Sequence, residues 1–272
     1  MLNRIFSGEK PIMGMVHVDD LYGPKGLDVI AHKALTDARN LHLDGAGVDG
    51  LIIENWEEKS DRPFVVEETV RRLLQITQLI RDQIKAPIGI NVLHNDYRSA
   101  FAIAQKLGLP FVQLDVCVDK VETEFEYTQG VQFKLDVDLQ DVNKVRQGVN
   151  AALFSGVHPK HYKLLEEGKT IEESTRQAIY NNVDAVVVTR LTGTAPAVEL
   201  VKRVKDFAEG HKKGFPVIVG SGVNIDNLGQ LLEHGDGAIV GTTLKVDQVT
   251  DNLVDPRRVE QFMNAVRKIF RQ

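Results

Sequence analysis

Two glycine-bearing turns late in the chain carry the clearest chemical signal. Gly220-Ser221-Gly222 closes the apolar run "PVIVGSG", and Gly241-Thr242 follows "GAIV". Turn geometry alone would be satisfied by one glycine. Backbone without side chains in the way lets N–H groups point at an anion, and a helix N-terminus adds partial positive charge. Such a dipole contributes about 0.3–1 kcal/mol when exposed. Hydrogen bonds to a charged acceptor contribute roughly 1.5–3 kcal/mol each, so several of them dominate. The two turns read as a phosphate grip, with Ser221 and Thr242 adding hydroxyls. The plainer alternative is a pair of tight turns with a helix cap at Asn224.

Polar residues close the other apolar runs as well. His17 ends the first, with Asp19 and Asp20 behind it, and Glu54-Asn55 ends the second. Asn91 leads into His94, Asn95 and Asp96. Gln113 and Asp115 follow, then His158, Lys160 and His161, then Thr189-Arg190 before Thr192. A carboxylate is costly to desolvate unless paired or used, which makes Glu54 and Asp115 the acid/base candidates. Asp96 reads either as a third catalytic carboxylate or as the N-cap of the helix that follows it. Lys160 reads as a Schiff-base nucleophile, a phosphate partner or a solvated lysine, with His161 beside it as a second catalytic candidate. His17, Asn55, Asn91, Asn95, His158 and Thr192 are the candidates for substrate binding. His158 and His161 have an H-x-x-H spacing that could hold a divalent metal with a carboxylate. Pro159 lies inside that spacing, so neither a metal nor another cofactor is the leading expectation.

Something must bring these residues together. Eight short runs rich in Val, Ile and Leu begin at Pro11, Val48, Ala86, Pro110, Asn150, Asp184, Pro216 and Gly237. They are too short for helices and suit strands covered on both faces. Between them lie segments of helical period, such as Val66–Ile84 and Pro196–Gly210, and a last one opens at Asp255-Pro256. Strict alternation implies parallel strands with right-handed crossovers. Eight units predict an α/β fold, a closed (β/α)8 TIM barrel, as one domain over residues 1–272. An open doubly wound sheet is the alternative, but its G-x-G-x-x-G turn after the first strand is absent. In a TIM barrel the site lies at the C-terminal ends of the strands, where all the polar residues above fall. The segment from Cys117 to Val149 is longer than the other connections and predicts an excursion over the barrel mouth.

Composition sets the outer limits. Lys plus Arg number 33 against 38 Asp plus Glu, a formal charge of −5. With no basic cluster, a nucleic acid or anionic membrane surface is not an expected partner. A small anion remains compatible, because local donors decide its binding. Cys117 is the one cysteine, so no intrachain disulfide can form and a cytoplasmic location is expected. No apolar run approaches the ~18 residues of a membrane span. A homo-oligomer is a further expectation, from the size and the apolar last helix.

The stretches "PIMGMVHVDDLYGPKG", "GVDGLIIENW", "PIGINVLHND", "HPKH", "VIVGSGVNIDN" and "DGAIVGTTLKVD" resemble those of the BtpA/SgcQ family. The resemblance runs from about Pro11 to the last helix. It implies a TIM barrel of the ribulose-phosphate-binding type. It also places Glu54, Asn55, Asn91, Asn95, Asp96, Lys160 and His161 on family motif positions, together with Gly220, Ser221, Gly222, Gly241, Thr242 and Lys245. The fourth strand departs from the family's Arg-x-Asn ending with Gln113-Leu114-Asp115. Gly156 stands where an aspartate is usual and Arg190 where a glycine is usual, which implies an altered substrate or a member that keeps the barrel and binds without the same chemistry. The functional expectation is an isomerase, lyase or hydrolase acting on a phosphorylated small molecule, such as a sugar phosphate or a nucleotide-like compound. The alternative is a non-catalytic assembly factor or phosphometabolite-binding scaffold.

Overall fold

A computed structural model describes residues 1–56, 63–124 and 132–271. Its strands in chain order are β1 (Ile12–His17), β2 (Gly50–Glu54), β3 (Ile88–Asn91), β4 (Phe111–Leu114), β5 (Val121–Thr123), β6 (Lys134–Leu135), β7 (Ala152–Val157), β8 (Tyr162–Leu164), β9 (Ala185–Val188), β10 (Val217–Gly220) and β11 (Gly237–Val240). The helices are α1 (Leu27–His42), α2 (Glu67–Gln83), α3 (Tyr97–Leu107), α4 (Leu139–Arg146), α5 (Ile171–Tyr180), α6 (Val198–His211), α7 (Leu228–His234) and α8 (Pro256–Phe270).

Eight strands, β1, β2, β3, β4, β7, β9, β10 and β11, pair in parallel and close, with β11 returning to β1. This is the TIM barrel the alternation predicts, and closure rules out the open doubly wound sheet. Side chains along each strand alternate between two cores, as pleating requires. In β1, Ile12 and Val16 face the helices, whereas Met13 and Met15 join Ile52, Phe111, Phe154 and Ile218 inside the barrel. Phe6 packs edge-on to Phe111 at 5.5 Å, and Phe111 stacks on Phe154 at 5.0 Å. Leu2 and Phe6 belong to this inner core. The barrel is therefore filled rather than open through its axis, and ligand access is confined to the polar rim.

The expected excursion after β4 is present among the described residues as β5 and β6. They are joined by β8 into a small antiparallel sheet of order β6-β5-β8. Residues 125–131 of the excursion lie outside the described residues. Val116, Val121, Leu135 and Tyr162 form the apolar centre of this sheet. It ties the β4 exit to the β7 exit at the mouth. No described helix is long and apolar enough to cross a membrane.

Candidate functional site

Register brings three polar residues into one row. His17 of β1 pairs with Glu54 of β2, and Glu54 pairs with Asn91 of β3. Adjacent residues in a parallel sheet share a face, so strand pairing alone gathers them at the rim. The Asn91 amide donates through Nδ2 to Glu54 Oε2 at 2.8 Å and to Asp115 Oδ1 at 3.1 Å. Two carboxylates sharing one donor lie within the ~4–6 Å over which charges shift each other's pKa. Tyr162, carried by the mouth sheet, donates its hydroxyl to Asp115 Oδ2 at 3.2 Å.

The electrostatics follow from that crowding. Burial, and then the nearby Asp115 charge, push Glu54 up from 4.5 to about 7, against opposing pulls from Lys160 and the Asn91 hydrogen bond. Burial also takes His17 well below 6.5, helped by Lys245, Lys160 and Lys33, so its imidazole is neutral. His161 is lowered to about 4 by burial, then by Lys160 and His94.

Glu54, His17, Gln113, Asp115, Lys160, Thr189 and Thr192 line one cavity together with Gly220, Ser221, Gly222, Gly241, Thr242 and Thr243. It offers about 90 Å³ to the centre of a water molecule. Among the described residues, the backbone N–H groups of Ser221, Gly222, Gly241, Thr242 and Thr243 donate to no protein acceptor. Buried or half-buried amides nearly always find a partner, so five unclaimed donors on one wall mark an acceptor-binding surface.

Local sequence explains these turns. Ser221 and Gly222 both have left-handed φ, 70° and 63°, which aims successive amides the same way. A Cβ on Gly222 would come within 2.1 Å of the Ala195 nitrogen, so the second glycine admits the β9–α6 loop as well as any ligand. A Cβ on Gly241 would reach 3.0 Å from the His17 ring. Asn224 caps the turn that leads into α7: its Oδ1 accepts from the Asp226 and Asn227 amides at 2.9 and 3.2 Å, and its carbonyl accepts from Leu228 N at 3.0 Å, with the regular helix starting at Leu228. The unclaimed amides of Ser221 and Gly222 lie ahead of that cap, in the loop after β10.

Other sequence-picked residues have different employment. Asp96 caps α3, accepting from Ser99 N at 2.9 Å, from Ser99 Oγ at 2.7 Å and from Val65 N at 3.0 Å. These donors make it the cap of α3, and it does not line the cavity that holds Glu54. Asn55 clamps the β3 exit through Leu93 N at 2.7 Å and Leu93 O at 3.3 Å. Asn95 accepts from Val116 N at 3.0 Å, holding the β4 exit. Both position the site rather than line it. Lys245 turns away from the cavity to meet Asp37 at 2.7 Å, with both side chains fully buried.

His158 and His161 are near each other in sequence but serve different partners. The His158 amide donates to Asp119 Oδ2 at 2.8 Å, while His161 Nε2 meets Thr192 Oγ1 at 2.9 Å. Both line a neighbouring cavity of about 620 Å³, which also includes Arg190, Leu191 and Arg203. Lys160 and Thr189 line this second cavity too. Lys160 Nζ donates to Thr192 Oγ1 at 3.3 Å. Among the described residues no three His, Cys, Asp or Glu side chains gather as a metal would require.

Sequence reasoning missed Trp56, Tyr162 and Thr250. Trp56 lines the cavity beside Thr250, its ring is 5.2 Å from that of His17, and its Nε1 donates to Asp251 at 3.2 Å. Its place directly after Glu54-Asn55 was the available signal. Cys117 is buried, and burial pushes its thiol up to about 12.

A closed (β/α)8 barrel with buried carboxyls and unclaimed amides lining one cavity defines a TIM-barrel protein with a polar mouth. Residues 8–268 match the BtpA family, and the chain belongs to that family. It is 29% identical to the photosystem I biogenesis protein BtpA of Synechocystis, covering 97% of this chain and 91% of that one. It is 28% identical to the putative sgc region protein SgcQ of Escherichia coli, covering 99% of each. Among solved structures it resembles tryptophan synthase from Mycobacterium tuberculosis, with TM-score 0.59, 15% identity and coverage of 97% and 93%. It also resembles N-(5'-phosphoribosyl)anthranilate isomerase from Pyrococcus furiosus, with TM-score 0.54, 12% identity and coverage of 95% and 98%. At those identities the likeness is one of fold.

Proposed function

We propose that this BtpA-family barrel is an enzyme that binds a phosphorylated small molecule and moves a proton on it. The phosphate sits between the turns after β10 and β11, and Glu54 is the acid/base group. One observation carries the reading: the unclaimed amides of Ser221, Gly222 and Gly241–Thr243 line the same cavity as Glu54. A ligand held by its phosphate there shares one cavity with the carboxyl. A carboxyl pushed to about 7 can give and take a proton near neutrality, as reversible general acid–base chemistry requires. Lys160, on the same wall system, supplies positive charge for an oxygen that becomes negative as the proton leaves. The isomerase resembled in fold is named for a phosphoribosyl compound, which agrees with this reading.

The test is a thermal-shift and calorimetry series with inorganic phosphate, sulfate and a panel of phosphorylated metabolites. Binding of inorganic phosphate, weakened when Gly222 is replaced, supports the anchor. If no phosphate compound raises the melting temperature, the reading fails. Loss of turnover in Glu54→Gln with phosphate binding retained would separate catalysis from a pure binding scaffold.

A further inference from the structure

The side chains that line the rest of this cavity have a chemistry of their own. Gln113 Oε1 is buried without a hydrogen-bond partner, although Gln113 lines the cavity. His17 Nδ1 is likewise buried and unpartnered, and the residue is only 7% exposed. Beside them stand the carboxyls of Glu54 and Asp115. Buried polar atoms without partners are exceptions that call for an explanation, and these two belong to residues that line the same cavity. Among the described lining residues, Lys160 is the one ammonium or guanidinium, and its Nζ already donates to Thr192.

A carboxylate or second phosphate placed against these side chains would face two carboxyls with a single cation to offset them. An alkyl group would leave the Gln113 oxygen and the His17 nitrogen unsatisfied. Several hydroxyls can satisfy them between them, because each O–H donates to one carboxylate or amide oxygen while its lone pairs accept from an imidazole N–H. We infer that the ligand carries hydroxyl-bearing carbons next to its phosphorylated end, and that Gln113 is a specificity residue that reads one of those hydroxyls. The substrate class is thus a polyhydroxylated monophosphate with no second anionic end. This inference rests on the phosphate anchor proposed above.

Competition calorimetry on the full chain tests it. The probes are inorganic phosphate, n-pentyl phosphate, 2-phosphoglycolate and a set of pentose and hexose monophosphates. At least one sugar phosphate is expected to bind about tenfold or more tighter than n-pentyl phosphate, and 2-phosphoglycolate no tighter than inorganic phosphate. In Gln113→Met the sugar-phosphate advantage shrinks by about tenfold while inorganic phosphate affinity is unchanged. Inorganic phosphate binding with no sugar phosphate ahead of n-pentyl phosphate overturns the hydroxyl inference and leaves the anchor standing. Failure of every phosphate compound overturns the anchor, and this inference with it. An unchanged sugar-phosphate advantage in Gln113→Met, with the variant folded by circular dichroism, removes Gln113 from the role.

Discussion

His17 Nε2 lies 4.0 Å from Glu54 Oε1, and both side chains are buried. The distance is too long for a hydrogen bond, and the pair is not a charged one. The imidazole is held neutral by burial and by neighbouring lysines, and the carboxyl is raised to about 7. Glu54 therefore meets neutrality with its proton nearly balanced, the pull of Lys160 being outweighed by burial and by Asp115.

That balance predicts a pH-dependent stability. Glu54 has a folded pKa of about 7 against 4.5 for an unperturbed carboxyl, so between those values the folded state binds more protons than the unfolded one. Stability from this group is then fully present at low pH and is lost as pH rises through 7. Glu54→Gln, which mimics the protonated form, should match the natural protein near pH 5 and exceed it at pH 8 by on the order of 2–3 kcal/mol. Urea melts at both pH values check this. A difference that stays constant with pH would refute the raised pKa.

The late glycines predict opposite signs at two positions. Gly222 has φ 63° and no room for a methyl group beside Ala195, so Gly222→Ala should cost at least about 1–3 kcal/mol. Gly210 sits inside α6 with nothing near its missing Cβ. Gly210→Ala should add about 0.5–1 kcal/mol through helix propensity and unfolded-state entropy. Thermal melts of the two variants side by side give the answer; equal shifts would contradict the geometry at Gly222.

Trp56 predicts an optical readout. It is the chain's single tryptophan, it lines the cavity, and its indole reaches across to Asp251. Phosphate entering beside Thr242 and Thr250 should change its emission in a saturable way, with a midpoint equal to the calorimetric Kd. Calorimetric binding in the cavity without any change in emission would show that the indole does not sense the ligand.

These residues also show where sequence reading reached and where it stopped. The barrel strands were legible because runs such as "DAVVVTR" and "PVIVGSG" are buried on both faces and nearly unbroken in β-branched residues. Strands β6 and β8 were not, since two or three residues carry no period and their pairing joins segments far apart in the chain. Glu54 stood out as a carboxylate at a strand end. That Asn91 binds it to Asp115 depends on the register of β2 on β3 and on the side chain of a third strand exit. Asp96 carried two readings in sequence, and the donors of Ser99 and Val65 decide for the cap. Lys245, directly after "GTTL", stands on a family motif position by resemblance, and the short helical turn at Thr242–Leu244 carries it inward.

The destination of Lys245 gives the last prediction. Its ammonium and the Asp37 carboxylate meet at 2.7 Å with neither side chain exposed, and Asp37 Oδ1 also accepts from Val254 N at 2.7 Å. Burial lowers the Lys245 pKa, with Asp37 opposing the shift. The pair ties α1 to the segment that leads from β11 into α8, which fixes the back of the Gly241–Thr243 turn. Removing one partner strands the other charge in the core, so Asp37→Leu and Lys245→Met should each cost about 3–5 kcal/mol. Replacing both, as Asp37→Leu with Lys245→Met, leaves no buried charge and should recover most of that loss, short of the bond to Val254. Chemical denaturation of the two single variants and the double variant completes the cycle. Additive losses in the double variant would mean that the two residues stabilise the fold independently of each other.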